Sequence, residues 1–164
     1  MTAPGTFRAA VEAKDLDAIT RTLDPAIEFR SPVMVKPYQG REAVTDLLRV
    51  LLETFEDFHY THDLAGSALS DRAHPNTAHP NTAHPNTAHL DAAPIDGAPI
   101  DAAQAQALVF NARVMGKAVQ GVDLITFNDS GLVVDLTVMV RPLPAAMTLA
   151  RAVGRRMEEH AALA

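Results

Sequence analysis

Residues 119–140 read Val-Gln-Gly-Val-Asp-Leu-Ile-Thr-Phe-Asn-Asp-Ser-Gly-Leu-Val-Val-Asp-Leu-Thr-Val-Met-Val. Val119 to Phe127 is rich in β-branched and aromatic side chains, which favour a pleated, half-buried strand. Asn128-Asp129-Ser130-Gly131 supplies turn chemistry, with Gly131 suited to positive φ. Leu132 to Val140 is a second valine-rich strand, which Pro142 and Pro144 stop. Two strands joined by so short a turn run antiparallel. Asp123 sits inside the first of these strands, among Val122, Leu124 and Ile125.

Working outward, Ala107 to Met115 is another strand, and Leu143 to about His160 is a closing helix with Met147, Leu149, Ala150, Val153 and Met157 as its apolar positions. Toward the N-terminus, Phe7, Val11, Leu16, Ile19 and Leu23 recur at helical spacing. Lys14-Asp15 divides them into two helices, with Thr6 and Asp15 as N-caps. Asp24-Pro25 ends that segment, since proline disfavours a helical residue before it. Ala26 to Arg30 alternates as a strand, and residues 31–40 form a loop. From Arg41 to Phe55, Val44, Leu47, Leu48, Leu51, Leu52 and Phe55 make a continuous apolar stripe. Phe58 to Leu64 alternates again and predicts a strand.

Residues 71–106 differ in kind. Ala-His-Pro-Asn-Thr occurs at 73–77, 78–82 and 83–87. Proline at every fifth position opposes helix, and few large apolar side chains are present to offset the entropy of ordering the chain. A disordered insertion within a single domain spanning 5–160 is the expectation. His74, His79, His84 and His89 could chelate a metal weakly, but no carboxylate or cysteine lies within the repeat and the spacing matches no structural zinc pattern. No metal site is assigned.

The composition narrows the function. The chain has 164 residues and a formal net charge of −6, which opposes non-specific nucleic-acid binding. It has no cysteine, so disulfides, thiolate metal sites and cysteine nucleophiles are excluded. No basic-then-apolar leader and no apolar run of ~20 residues is present, so a cytoplasmic protein with no membrane partner is expected. No glycine-rich phosphate loop implies a cofactor.

Helix, helix, strand, long helix, then strands and a final helix is an order with family parallels. With Ala13-Lys14-Asp15-Leu16-Asp17, Gly40-Arg41-Glu42-Ala43-Val44 and the 121–134 hairpin, it resembles the SnoaL-like branch of the nuclear-transport-factor-2-like superfamily. The resemblance implies an α+β fold: a cone-shaped, curved antiparallel sheet packed on N-terminal helices, with a C-terminal helix and a pocket at its wide end. It also implies a homodimer and a small hydrophobic ligand.

Ketosteroid isomerases of that superfamily use an aspartate base, with a tyrosine and a protonated aspartic acid as oxyanion donors; this enzyme is itself a standard example of such pKa tuning. By resemblance, the oxyanion-hole acid falls on Asp123. The tyrosine falls on Phe7, which has no hydroxyl, and the base falls near Ser31. Ketosteroid isomerase chemistry in its usual form is therefore not expected. The Asp-Arg-Asp set of the related epoxide hydrolases fails as well, because Val138 stands where one aspartate is needed. SnoaL-like cyclases use an aspartate base with a histidine near, which points to Asp123 with His62, or His59, as catalytic residues. Strand alternation places His59 and His62 on opposite faces, so at most one reaches the pocket. Phe7, Phe29, Ser31, Tyr38, Tyr60, Ile125, Leu136 and Val138 are the expected pocket residues. The functional expectation is an isomerase or cyclase acting on an apolar carbonyl compound. The alternative is a non-catalytic ligand-binding or dimerisation module, in which Asp123 is an ordinary strand carboxylate.

Overall fold

The computed structural model describes residues 6–68 and 103–163. The pentapeptide repeat and its histidines lie outside the described residues. Ten elements follow in order: α1 (Thr6–Glu12), α2 (Leu16–Thr22), β1 (Leu23–Arg30), β2 (Tyr38–Gln39), α3 (Arg41–Thr54), β3 (Glu56–Ala68), β4 (Ala103–Val114), β5 (Lys117–Phe127), β6 (Val133–Arg141) and α4 (Leu143–Leu163). One curved, unclosed sheet carries the strands in the order β2-β1-β6-β5-β4-β3.

The deciding hairpin forms as read. Asp123 pairs with Val138 and Ile125 with Leu136 across β5 and β6. Asn128 builds the turn, its side-chain oxygen accepting from the backbone N–H groups of Ser130 and Leu132 at 3.0 and 2.9 Å. Gly131 takes the positive φ of +76° that a side chain resists. Strand β5 alternates along its length: Val119, Gly121, Asp123, Ile125 and Phe127 are buried, while Leu124 on the opposite face is exposed.

The sheet departs from the expectation in one pairing. β1 and β6 run parallel; every other pair is antiparallel. The short-turn rule covers only strands adjacent in sequence, and here β2, α3, β3, β4 and β5 intervene before the chain returns beside β1. β1 also starts at Leu23, so Pro25 lies inside a strand, at a register irregularity between Leu23 and Glu28. Proline is tolerated in sheets at such places. β4 begins at Ala103, so residues 103–106 belong to the sheet and not to the insertion. Ala and Gln at these positions carry little strand signal of their own, but Ala103 and Gln104 pair with Ala68 and Ser67 of β3, and Ala105 and Gln106 also pair with Thr126 and Ile125 of β5.

The helices lie against the concave face. α3 buries Val44, Leu47 and Leu48 of the expected stripe, half-buries Leu51, Leu52 and the C-cap Phe55, and buries Val50 besides. Its start is tied to β1: the Arg41 guanidinium donates twice to the Leu23 carbonyl, at 2.9 and 2.6 Å. Asp15 caps α2 by accepting from the Ala18 N–H at 2.9 Å. The core joins both layers, with Phe7, Ile19, Ile27, Phe29, Leu108, Phe110, Ile125 and Leu136 all at 2% exposure or less. Among the described residues, no helix is long and apolar enough to cross a membrane.

Candidate functional site

Between the helices and the concave face of the sheet lies a cavity of about 280 Å³. Its walls are chiefly apolar. Phe7 and Val11 come from α1, Leu47, Leu48 and Leu51 from α3, Phe110, Leu136 and Val138 from the sheet, and Leu149, Val153 and Met157 from α4. Into this greasy space project two buried polar groups, Asp123 of β5 and Tyr60 of β3, at 7% and 8% exposure.

They touch. The Tyr60 hydroxyl donates to Asp123 Oδ2 at 2.7 Å. The pairing is diagonal across the sheet. Tyr60 stands opposite Phe110, and Asp123 stands opposite Leu108, two residues back along β4. Diagonal neighbours are within reach of a long aromatic side chain. Tyr60 is held by rings on its flank: Phe58 meets it edge-on at 5.0 Å between centroids, and Phe58 in turn packs on Phe110 at 5.0 Å. Phe110 has room only because residue 121 is glycine. A Cβ at Gly121 would lie 2.2 Å from Phe110 Cζ. The ring of Phe110 therefore lies directly over the β5 backbone, two residues before the acid.

The electrostatics follow from the burial. Removal from water disfavours the carboxylate, so the Asp123 pKa rises to about 7, with the Tyr60 hydrogen bond pulling part of the way back. Tyr60 is pushed well above the usual phenol value, first by burial and then by the nearby Asp123 charge. At neutral pH Tyr60 is a neutral donor, while Asp123 populates both its protonation states. No hydrogen bond from the described residues reaches the second carboxyl oxygen, Oδ1.

Most of the expected pocket residues line this cavity: Phe7, Phe29, Ser31, Tyr38, Tyr60, Leu136 and Val138, with Asp123. Tyr38 sits edge-on to Phe29 at 6.3 Å. The Ser31 hydroxyl accepts from the Val33 N–H at 3.2 Å, which shapes the β1–β2 loop. Two residues fall elsewhere. Ile125 faces inward as expected but is packed into the core at 1% exposure, outside the cavity lining. His62 is exposed and contacts the Thr61 hydroxyl at 3.0 Å, so it is not a partner of Asp123.

A bulge explains the histidine. The β3–β4 register slips between Tyr60, opposite Phe110, and His62, opposite Val109. One extra residue in a strand turns every later side chain to the other face. His62, which simple alternation puts on the face of Tyr60, thus points outward, and so does His59 opposite Asn111. The contact that sequence reading missed is Tyr60 with Asp123. Both residues were expected at the site, but their diagonal approach was not written in either strand alone. The part played by Gly121 was missed too, although a glycine inside a strand commonly marks a close approach.

Known proteins fit this picture. A family model for the SnoaL-like domain matches residues 5–73. A steroid delta-isomerase from Pseudomonas aeruginosa is similar in structure with a TM-score of 0.70, at 30% identity over 95% of this chain and 89% of that one. An uncharacterised cystatin-like protein from Silicibacter pomeroyi shares the fold at a TM-score of 0.67 and 23% identity, over 93% of this chain and 82% of that one. A SnoaL-like protein of unknown function from Burkholderia thailandensis shares it at 0.52 and 17%, over 85% and 91%. No curated protein matches the sequence.

Proposed function

This chain belongs to the SnoaL-like, nuclear-transport-factor-2-like superfamily, and from that membership we propose that it is an isomerase-type pocket enzyme acting on an apolar carbonyl compound, with Asp123 as proton shuttle and Tyr60 as its hydroxyl partner. The observation that carries this reading is the buried Tyr60–Asp123 contact inside a chiefly apolar cavity. A general base works best when its pKa is near the working pH, and burial brings Asp123 there.

The proposed step is a proton transfer at carbon. Asp123 Oδ1, as carboxylate, takes a proton from the carbon beside the carbonyl. The C–H electron pair moves into the new C=C bond, and the carbonyl oxygen becomes an enolate oxygen. Once Asp123 is protonated it holds the Tyr60 hydroxyl less tightly, and that hydroxyl can turn to the enolate oxygen. Asp123 then returns the proton to the same carbon or to a conjugated one, which completes exchange or double-bond migration. If the enolate carbon instead attacks a second carbonyl carbon in the same molecule, the new C–C bond closes a ring, that C=O π pair moves to its oxygen, and Asp123 gives its proton to the resulting alkoxide, the cyclase variant. Phe7 and Ser31 supply neither the tyrosine nor the base that the resemblance assigns to their positions. Asp123 and Tyr60 would therefore carry the chemistry from the sheet.

α-Proton exchange into deuterium oxide, followed by NMR on a small aryl ketone, tests this without knowledge of the natural substrate. Wild type should catalyse exchange, Asp123→Asn should lose it by at least ~100-fold, and Tyr60→Phe by roughly 10-fold or more. Ketone binding with no exchange would instead favour the non-catalytic binding module. Undiminished exchange by Asp123→Asn would remove Asp123 from the mechanism.

We also propose that the outer face of the sheet is the homodimer surface. Leu64 and Leu124, with Ala107 between them, line one row across β3, β4 and β5. Leu64, Leu124 and Met139 are exposed at 59%, 38% and 48%. Apolar side chains clustered this way commonly mark an interface. Sedimentation velocity of Leu124→Glu against wild type decides it: wild type should sediment as a dimer and the variant as a monomer.

A further inference from the structure

Helix α4 carries a glycine, Gly154, in its interior. Glycine there is costly, because it gives up more backbone freedom than alanine on folding. The usual reasons for accepting that cost are missing. Gly154 is not among the described glycines with positive φ, so any residue could adopt its backbone. A Cβ built at Gly154 meets no heavy atom within 4 Å, so no neighbour needs the space. It lies well inside the helix, too far from the end to be a C-cap.

Its position relative to the cavity offers a reason. Gly154 lines the cavity and is exposed, whereas Leu149, Val153 and Met157 of the same helix close the wall around it. A Cβ at 154 would stand in that opening without touching the protein around it. The cavity itself, about 280 Å³, falls just below the range of roughly 300–1,000 Å³ for small-molecule sites. An elongated ligand that fills it must leave it somewhere.

We propose that Gly154 keeps a passage open over α4, and that the ligand is an elongated apolar carbonyl compound whose far end leaves the cavity there. The proposal rests on the reading of Asp123 and Tyr60 as the carbonyl site, and it adds the ligand's length and the residue that selects for it. Gly154 is thus a specificity-determining residue with no part in the proton transfer.

A homologous series of alkyl phenyl ketones, from acetophenone to decanophenone, tests it by calorimetric titration of wild type, Gly154→Ala and Gly154→Leu. Thermal melts establish that the variants fold, and the alanine variant should gain about 2–4 °C in Tm from the better helix former. Wild-type affinity should rise with alkyl length. Acetophenone should bind all three proteins within about twofold, while decanophenone should weaken by about threefold in Gly154→Ala and by at least ~10-fold in Gly154→Leu. Equal decanophenone affinity in wild type and a folded Gly154→Leu would overturn the passage. Loss of acetophenone along with the long ketones would overturn it too, since the side chain would then be perturbing the whole cavity. If wild type binds no ketone of any length, the carbonyl reading falls and the passage with it. If ketones bind and Asp123→Asn abolishes exchange while Gly154→Leu changes nothing, only the passage falls.

Discussion

Replacing Asp123 by asparagine should make the protein more stable, and increasingly so as the pH rises. The native carboxyl titrates near 7, against an ordinary value of 3.8. Each pH unit of that displacement is worth about 1.4 kcal/mol, so the ionised carboxylate costs the fold on the order of 4 kcal/mol. The sign follows from proton binding. Between pH 4 and 7 the folded state holds this proton and the unfolded state has lost it. Stability from this group is therefore full below about pH 4, falls through the interval and levels off above about 7. Roughly half the loss is complete by pH 5.5, leaving about 2 kcal/mol to be lost between pH 5.5 and 8. Asparagine keeps an oxygen to accept the Tyr60 hydroxyl and cannot ionise. Urea unfolding of both proteins across pH 5.5 to 8 isolates the effect, because every other titrating group is common to the pair. The difference in stability should grow by about 2 kcal/mol in favour of Asp123→Asn, which amounts to a midpoint shift of roughly 1 M urea. Parallel stability curves would refute the reasoning, since Asp123 would then ionise without cost and could not be sealed in an apolar cavity.

Two further outcomes follow from the packing. Gly121→Ala places a methyl group within 2.2 Å of Phe110 Cζ; it should destabilise the fold by about 1–3 kcal/mol and slow α-proton exchange by moving the ring that braces Tyr60 through Phe58, measured by thermal melts and the NMR assay. His62→Ala should leave both exchange rate and stability within about twofold and ~0.5 kcal/mol of wild type, because the imidazole is outside the cavity; a large loss of exchange would return the histidine to the site.

Much of the architecture was legible from local pattern. The Asn128–Gly131 turn is specified by an asparagine that caps it and a glycine that takes its positive φ. The stripe of α3 and the alternation of β5 required no knowledge of their neighbours, but only the folded sheet placed Asp123 on the inner face. Strand ends were less legible. Ala103–Gln106 have no strong β signal of their own and are strand because β3 pairs with all four and β5 with Ala105 and Gln106.

The site itself was legible only in part. The sequence identifies an acid on an apolar strand and a tyrosine on another, because alternation is a property of each strand separately. Which side chains meet depends on register, and register is a relation between strands that lie far apart in the chain. The single extra residue after Tyr60 turns His62 away, and the diagonal offset between β3 and β5 brings Tyr60 to Asp123 in its place. Folding also sets the charge state, since the same carboxyl group titrates normally in water and near neutrality once the helices have closed over it.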